Sequence, residues 1–150
     1  MDLDDPSRSG LVIMRVIRDD GTGGFNMDQG TRGAPAYYEV TAEGITRNGE
    51  LFLAGPIARD TRWQAASGDT YVIANTGLTR TVPAGTFHDV IEVVRTSPDV
   101  ERRTRTAYRE TYYYAPSVGA IEAEVPVMAP GAQLRRFRLS LRGYTLDGQF

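Results

Sequence analysis

The feature that most constrains this chain is the recurrence of short segments rich in β-branched and aromatic residues, separated by clusters of Gly, Pro, Asn and Asp. No stretch keeps the 3.6-residue apolar period of a helix for three turns. The pattern therefore predicts an all-β protein. With 150 residues, the chain is long enough to bury a core as one domain and too short for two comfortable domains.

The chain divides into two parts by composition. Residues 11–18 form a compact apolar run that predicts an N-terminal strand, and the glycine-rich residues 19–35 predict a long flexible loop. We therefore assign residues 1–36 to this strand and loop, and residues 37–150 to the antiparallel β part of one domain. The longest candidate strand in that part covers residues 104–115.

Two hairpins have recognisable signals. Asn48-Gly49 suits a two-residue type I′ turn, which would set Arg47 opposite Glu50. Near the C-terminus, strands over residues 118–125 and 134–144 flank a Pro130-Gly131 turn and give one apolar and one salt-bridged face. The register predicted there pairs Ile121 with Leu139, Ala123 with Phe137, Glu122 with Arg138, and Glu124 with Arg136.

A succession of hairpins predicts an antiparallel meander whose apolar face must be covered. Either the sheet curls into a half-barrel or open barrel, or two sheets stack. Because no clear helix is available as a cover, we expect the curled form of a single domain.

Composition excludes several classes of function. The formal charge of −2 and the pI near 5.4 argue against nucleic acid or anionic membrane as a partner. The chain has no Cys and one His, so we expect no disulfide, no thiolate chemistry and no multi-histidine metal site. His88 is expected to be an ordinary strand residue. We expect no metal, no cofactor and no transmembrane segment.

Aromatic residues supply the candidate ligand-binding site. Tyr108, Tyr112 and Tyr114 alternate along one strand face, and Trp63 and Phe87 lie elsewhere in the chain. In a curled sheet these five rings could line a cavity for an apolar ligand, or form a surface for a protein partner. The same pattern is typical of a tyrosine-rich strand that fills a small barrel, so both interpretations stay open.

A hydrolase is the competing interpretation. It would use carboxylates such as Asp89, Glu110 or Glu122 as acid and base, and a raised carboxyl pKa in a concave site would support it.

The segments VPAGTFHDVIEV (Val82–Val93) and TYYYAPSVGAIEAE (Thr111–Glu124) carry a resemblance to a family. Together they resemble bacterial envelope proteins and lipoproteins of unknown function, which share a PAGTF turn followed by a YYxAPGVG segment. Ser117 stands where that pattern has Gly. The resemblance implies an extracytoplasmic antiparallel sheet, similar to the open barrels of lipoprotein carriers, without enzymatic activity.

These observations predict a non-enzymatic module of the periplasm or cell envelope, with any targeting segment outside the sequence given. It would bind an apolar small molecule, a lipid or a protein partner. Assembly of several copies through sheet edges is an alternative, and the sequence leaves the oligomeric state open.

Overall fold

The fold is all-β, with most strands antiparallel in two sheets. The computed structural model describes residues 15–19, 21, 23–28, 34–129 and 133–144. The first five strands form the N-terminal sheet in the order of the chain. They are β1 (Arg15–Asp19), β2 (Gly24–Asp28), β3 (Ala36–Thr41), β4 (Gly44–Arg47) and β5 (Glu50–Ala54).

Six further strands form the C-terminal sheet, again in the order of the chain. They are β6 (Arg62–Gln64), β7 (Thr70–Val82), β8 (Gly85–Thr96), β9 (Arg109–Ala115), β10 (Gly119–Ala129) and β11 (Gln133–Ser140). One short helix, α1 (Pro98–Thr104), connects β8 to β9. Each sheet is thus a meander in which every strand pairs with the next one along the chain.

The expected half-barrel or open barrel is wrong, because neither sheet is closed or strongly curled. The chain leaves the first sheet after Ala54 and starts a second one at Arg62. Ala54 of β5 then belongs to the buried cluster that contains Trp63 and Ile73 of the C-terminal sheet, and Leu51 and Leu53 pack against that cluster. A second sheet therefore provides the burial that curling was expected to provide.

The predicted Asn48-Gly49 turn is confirmed. Asn48 and Gly49 have φ values of 52° and 82°, as a type I′ turn requires, and Arg47 pairs with Glu50. The segment expected to be a loop differs, since β2 lies inside it and pairs with β3 across the boundary at residue 36. Strand formation there follows from pairing with a neighbour, which a glycine-rich composition does not reveal.

The predicted strand over residues 104–115 is shorter than expected and begins at Arg109, because α1 precedes it. Pro98 stands in the first turn of α1, Asp99 and Glu101 are acidic residues near its N-terminus, and Arg105 ends it with φ 55°. These are ordinary start and stop signals for a helix. At seven residues, the helix is too short for its periodicity to be recognised in the sequence.

The C-terminal hairpin forms, but its predicted register is wrong by two residues. Ala123 pairs with Leu139 instead of Phe137, and Glu124 pairs with Arg138 instead of Arg136. A two-residue shift leaves every side chain on its predicted face, so the alternation of apolar and charged residues cannot distinguish the two registers. The position of the turn decides, and residues 130–132 lie outside the described part.

Buried residues form one core cluster on each face of the C-terminal sheet. The inner face, which meets β5, buries Trp63, Ile73, Ile91 and Val93. The outer face buries a second cluster that is partly covered by Leu141 in the segment after β11. The members of that second cluster are Val82, Val90, Ala115 and Ile121. Both core clusters of the described residues therefore involve the C-terminal sheet.

Candidate functional site

A cluster of polar side chains on the inner face is built around Glu110 of β9, which is 5% exposed. Tyr108 Oη donates a hydrogen bond to Glu110 Oε1 at 2.5 Å, and Tyr112 Oη donates one to Oε2 at 2.5 Å. Arg95 Nη1 on β8 lies 2.9 Å from the same Oε2. The alternation of a β-strand places Tyr108, Glu110 and Tyr112 on one face, so the local sequence itself brings these groups together.

Arg95 connects this carboxylate to a second one. Its Nε and Nη2 donate to Asp69 Oδ2 at 3.1 Å and 2.5 Å, and Asp69 is 5% exposed. Burial by itself would raise the pKa of Asp69, but hydrogen bonds from Ser97 and Arg95 outweigh it and hold the pKa below its ordinary value. Hydrogen bonds to Asp69 and Glu110 likewise raise the pKa of Arg95 against the effect of burial.

The two tyrosines bound to Glu110 are held in the protonated form. Burial, together with the hydrogen bond to Glu110, raises the pKa of Tyr108 to about 12 and raises that of Tyr112 well above its ordinary value. Both oxygens of Glu110 already accept hydrogen bonds within the cluster. A general acid or base must hold its protonation site towards the substrate. Glu110 instead binds neighbouring side chains with both oxygens, so its geometry is that of a link between strands.

Of the five aromatic residues predicted as one site, Trp63, Tyr112 and Tyr114 pack around one cluster of the inner face, whereas Phe87 lies on the outer face. Trp63 and Tyr114 belong to the packing between the sheets, since Trp63 stacks on Tyr71 at 5.2 Å and Tyr114 meets Phe52 edge-on. Tyr108 and Tyr112 surround Glu110. Phe87 lies on the outer face against Tyr144, at a centroid distance of 5.8 Å.

A bulge in β8 explains the position of Phe87. Asp89 has φ 55°, and the pairing of β8 with β7 shifts between Val90 and Phe87. An extra residue inverts the alternation of a strand. Phe87 therefore shares the outer face with Val90, although a regular strand would place it on the inner face with Ile91 and Val93.

The carboxylates named for a hydrolase do not share one site. Glu110 lies on the inner face, whereas Glu122 lies on the outer face and forms an ion pair with Arg80, whose guanidinium stacks over the ring of Tyr113. Asp89 is exposed at the bulge. His88 is also exposed, and its Nδ1 lies 3.1 Å from Thr79 Oγ1. The three carboxylates therefore lie at separate places in the C-terminal sheet.

An apolar strip continues the inner face beyond Tyr112 towards the edge of the sheet. Tyr112 pairs with Ala123, which pairs with Leu139 of β11. Leu139 and Val127 are 49% and 45% exposed, which is high for aliphatic residues in paired strands. We define the apolar strip as Ala123, Val125, Val127, Phe137 and Leu139.

The strip ends at β11, the last strand of the C-terminal sheet, whose only neighbour among the described strands is β10. Leu141 N donates to Ile121 O at 2.8 Å, which continues the register of the hairpin. Inward and outward backbone groups alternate along an antiparallel strand. The N–H and C=O groups of Arg136 and Arg138 therefore point away from β10.

The outer face of β10 and β11 is charged. Arg138 Nη2 lies 2.6 Å from Glu124 Oε1, and Arg138 Nε lies 3.4 Å from Glu122 Oε1. A groove of about 220 Å³ lies on this part of the sheet. Its lining residues are Arg109, Thr111, Glu124, Val125, Pro126 and Arg136.

Sequence reasoning missed Arg95 and Asp69, which form ion pairs in the Glu110 cluster, and Tyr71, whose ring centroid lies 6.0 Å from the Arg95 guanidinium. The signal for Arg95 was present, since it stands two residues after Val93 and so occupies an inward position of an otherwise apolar strand. A charge at such a position predicts a buried ionic partner. Asp69 had no comparable signal, because it lies in a loop before β7.

The fold and these surfaces define a two-sheet antiparallel β protein with a buried ionic bridge and a partly apolar sheet edge. No family model, no curated protein and no solved structure matches this chain. In the described ranges, no three Asp, Glu or His side chains are grouped so as to hold a metal ion. Among these same residues, no helix is long and apolar enough to span a membrane.

Proposed function

We propose that this chain is a non-enzymatic binding module of the bacterial envelope, and that it captures an extended segment of a protein partner along β11. One observation supports the proposal above the others: the apolar strip, in which Leu139 and Val127 are exposed, adjoins the last strand of the sheet. An added strand would extend the sheet by main-chain hydrogen bonds and would cover Leu139. The envelope location depends on the sequence resemblance alone.

A protein partner fits the packing better than an apolar small molecule. The rings of Trp63 and Tyr114, which a ligand cavity would need, are in contact with Tyr71 and Phe52. The exposed apolar surface is instead an elongated strip on two strands. Such a surface suits an extended chain, whereas a small molecule is bound in an enclosed pocket.

Site-specific photo-crosslinking tests the proposal. Because the chain has no Cys, a single Ser140→Cys substitution places a benzophenone label on β11. The matched control is Arg62→Cys on β6, the opposite edge strand of the same sheet. The labelled protein is mixed with envelope extract of the host, and crosslinked proteins are identified by mass spectrometry.

We expect one protein to be crosslinked from position 140 and not from position 62. Equal crosslinking from both positions, or none from position 140, would contradict the proposal.

A further inference from the structure

The turn between β4 and β5 places a nucleophile beside a side-chain amide. Asn48 and Gly49 are both exposed, and a Cβ atom added to Gly49 would meet no heavy atom within 4 Å apart from its chain neighbours. The strand pairing ends at Arg47 and Glu50, so the N–H of Gly49 lies outside the ladder. Because glycine has no side chain to shield it, this backbone nitrogen can reach the amide carbon of Asn48.

The side chain of Asn48 is held so that its carbonyl group is polarised. The backbone N–H of Tyr37 donates a hydrogen bond to Asn48 Oδ1 at 2.8 Å. A donor aimed at a carbonyl oxygen stabilises the negative charge that develops there when a nucleophile attacks the carbon. Among the residues that the structure describes, none accepts a hydrogen bond from Asn48 Nδ2, so nothing in the fold retains this nitrogen.

The chain has two other asparagines, and the structure places them differently. Asn75 Nδ2 donates a hydrogen bond to Glu92 Oε2 at 2.5 Å, and the next residue, Thr76, has a β-branched side chain. Asn26 lies inside the paired strand β2 and is followed by a methionine. A side chain on the following residue hinders attack by its backbone nitrogen. Asn48 alone therefore combines an open nucleophile, a polarised carbonyl and an unrestrained amide nitrogen.

We propose that Asn48-Gly49 is a site of spontaneous deamidation in the folded protein. Gly49 N gives its proton to hydroxide and forms a bond to Asn48 Cγ. The bond between Cγ and Nδ2 breaks, Nδ2 takes a proton from water, and ammonia leaves a five-membered succinimide. Water then opens this ring at either carbonyl group. The products are aspartate and isoaspartate, and in isoaspartate the main chain continues through Cγ.

The isoaspartate product changes the hairpin of β4 and β5. It adds one carbon atom to the main chain of a two-residue turn, on which the pairing of Arg47 with Glu50 depends. Glu50 also joins this hairpin to the loop after β6, because its Oε1 accepts a hydrogen bond from Ala66 N at 3.1 Å. Deamidation should therefore loosen β5, which packs against the core cluster of the inner face. Aged protein is then less stable than new protein.

Ageing of the full chain at mildly alkaline pH tests the inference. Because the chain has no Lys, trypsin cuts after arginine and places the three asparagines in separate peptides, residues 19–32, 48–59 and 63–80. Mass spectrometry measures the loss of each amide, and chromatography separates aspartate from isoaspartate. We expect loss at Asn48, at a rate that rises with hydroxide concentration, while Asn26 and Asn75 remain intact.

The matched control is Asn48→Gly, which keeps a sequence suited to a type I′ turn but has no side-chain amide. We expect ageing to lower the urea midpoint of the parent protein and to leave that of Asn48→Gly unchanged.

Three results would overturn the inference. An intact amide at Asn48 would show that the turn is unreactive, and equal loss at Asn75 would show that the fold does not select the site. A rate that follows the unfolded fraction in urea would show that the folded turn protects Asn48. If Asn48 converts and the urea midpoint does not fall, the modification site stands and the loosening of β5 is wrong.

Discussion

The ring of Phe52 on β5 meets the ring of Tyr114 on β9 edge-on, with centroids 6.0 Å apart. This contact belongs to a continuous series of rings that crosses from one sheet to the other. Tyr38 stacks on Phe25 at 5.3 Å and meets Phe52 at 5.4 Å, and Tyr114 stacks on Tyr112 at 6.1 Å. The series ends at the hydroxyl group that donates to Glu110.

Removing the Phe52 ring should loosen the contact between the sheets. We expect Phe52→Ala to lower the free energy of unfolding by about 2–4 kcal/mol, since the ring fills space between two sheets and leaves a cavity. Val40→Ala, in the same sheet but 62% exposed, should cost less than about 1 kcal/mol. Urea denaturation measures both variants, and equal losses would show that Phe52 does not join the sheets.

Arg95→Met tests the ionic bridge. The substitution keeps an unbranched side chain but leaves Asp69 and Glu110 buried without their cation. We expect a loss of about 2–4 kcal/mol in the free energy of unfolding, the lower part of the usual range because Arg95 is 28% exposed. Arg102→Met removes an exposed ion pair with Asp99 and should cost under about 0.5 kcal/mol. A neutral Arg95→Met variant would contradict the assigned role.

Asp69 should contribute to the loss of folding stability at acid pH. Its folded-state pKa is below the ordinary value of 3.8, so its stabilisation is present above that pH and is lost as pH falls through the folded-state pKa. Asp69→Asn should therefore be less stable than the parent at neutral pH and should show a flatter decline in acid. Chemical denaturation at a series of pH values measures this, and parallel acid limbs would argue against it.

Tyr108 should contribute to the loss of stability at alkaline pH, because its pKa is shifted in the opposite direction from that of Asp69. Burial and Glu110 raise its pKa from 10.0 to about 12, so its stabilisation is present below pH 10 and is lost as pH rises through 12. In the unfolded chain, all eight tyrosines should ionise near pH 10. We expect Tyr108→Phe to remove one tyrosine ionisation at high pH from the ultraviolet titration of the folded protein. If the substitution instead removes an ionisation near pH 10, Tyr108 is exposed to solvent and its pKa is not raised.

A double-mutant cycle distinguishes the two registers of the C-terminal hairpin. The observed register predicts a coupling energy of about 0.2–1 kcal/mol between Glu124 and Arg138, measured with Gln at each position. The register expected from the sequence would instead couple Glu124 with Arg136. We expect no coupling for that second pair, and the reverse result would restore the original register.

Local rules predicted the parts of the fold that depend on few residues. The dipeptide Asn48-Gly49 was sufficient to predict its turn, because both residues tolerate positive φ. The division into two sheets was not predictable, because no local signal shows which strand covers a face. The bulge at Asp89 was also invisible, so Phe87 was placed with residues that lie on the opposite face.

The candidate site was predictable to a similar extent. Alternation correctly put Tyr108 and Tyr112 on one face, but it could not show that Glu110 between them would accept hydrogen bonds from both. Exposure at the edge of a sheet is a property of strand order. The apolar strip could therefore be recognised only once β11 was known to be the last strand.

The order of strands along the chain has a consequence during synthesis on the ribosome. Because the N-terminal sheet is built from consecutive strands, it can form its hydrogen bonds before β6 is translated. Phe52 and its neighbours on β5 then remain exposed to solvent until β9 has been translated and Tyr114 can pack against Phe52. During that interval the nascent chain carries an apolar sheet surface, so a slow stretch of translation between β5 and β9 would prolong its exposure to chaperones and to aggregation.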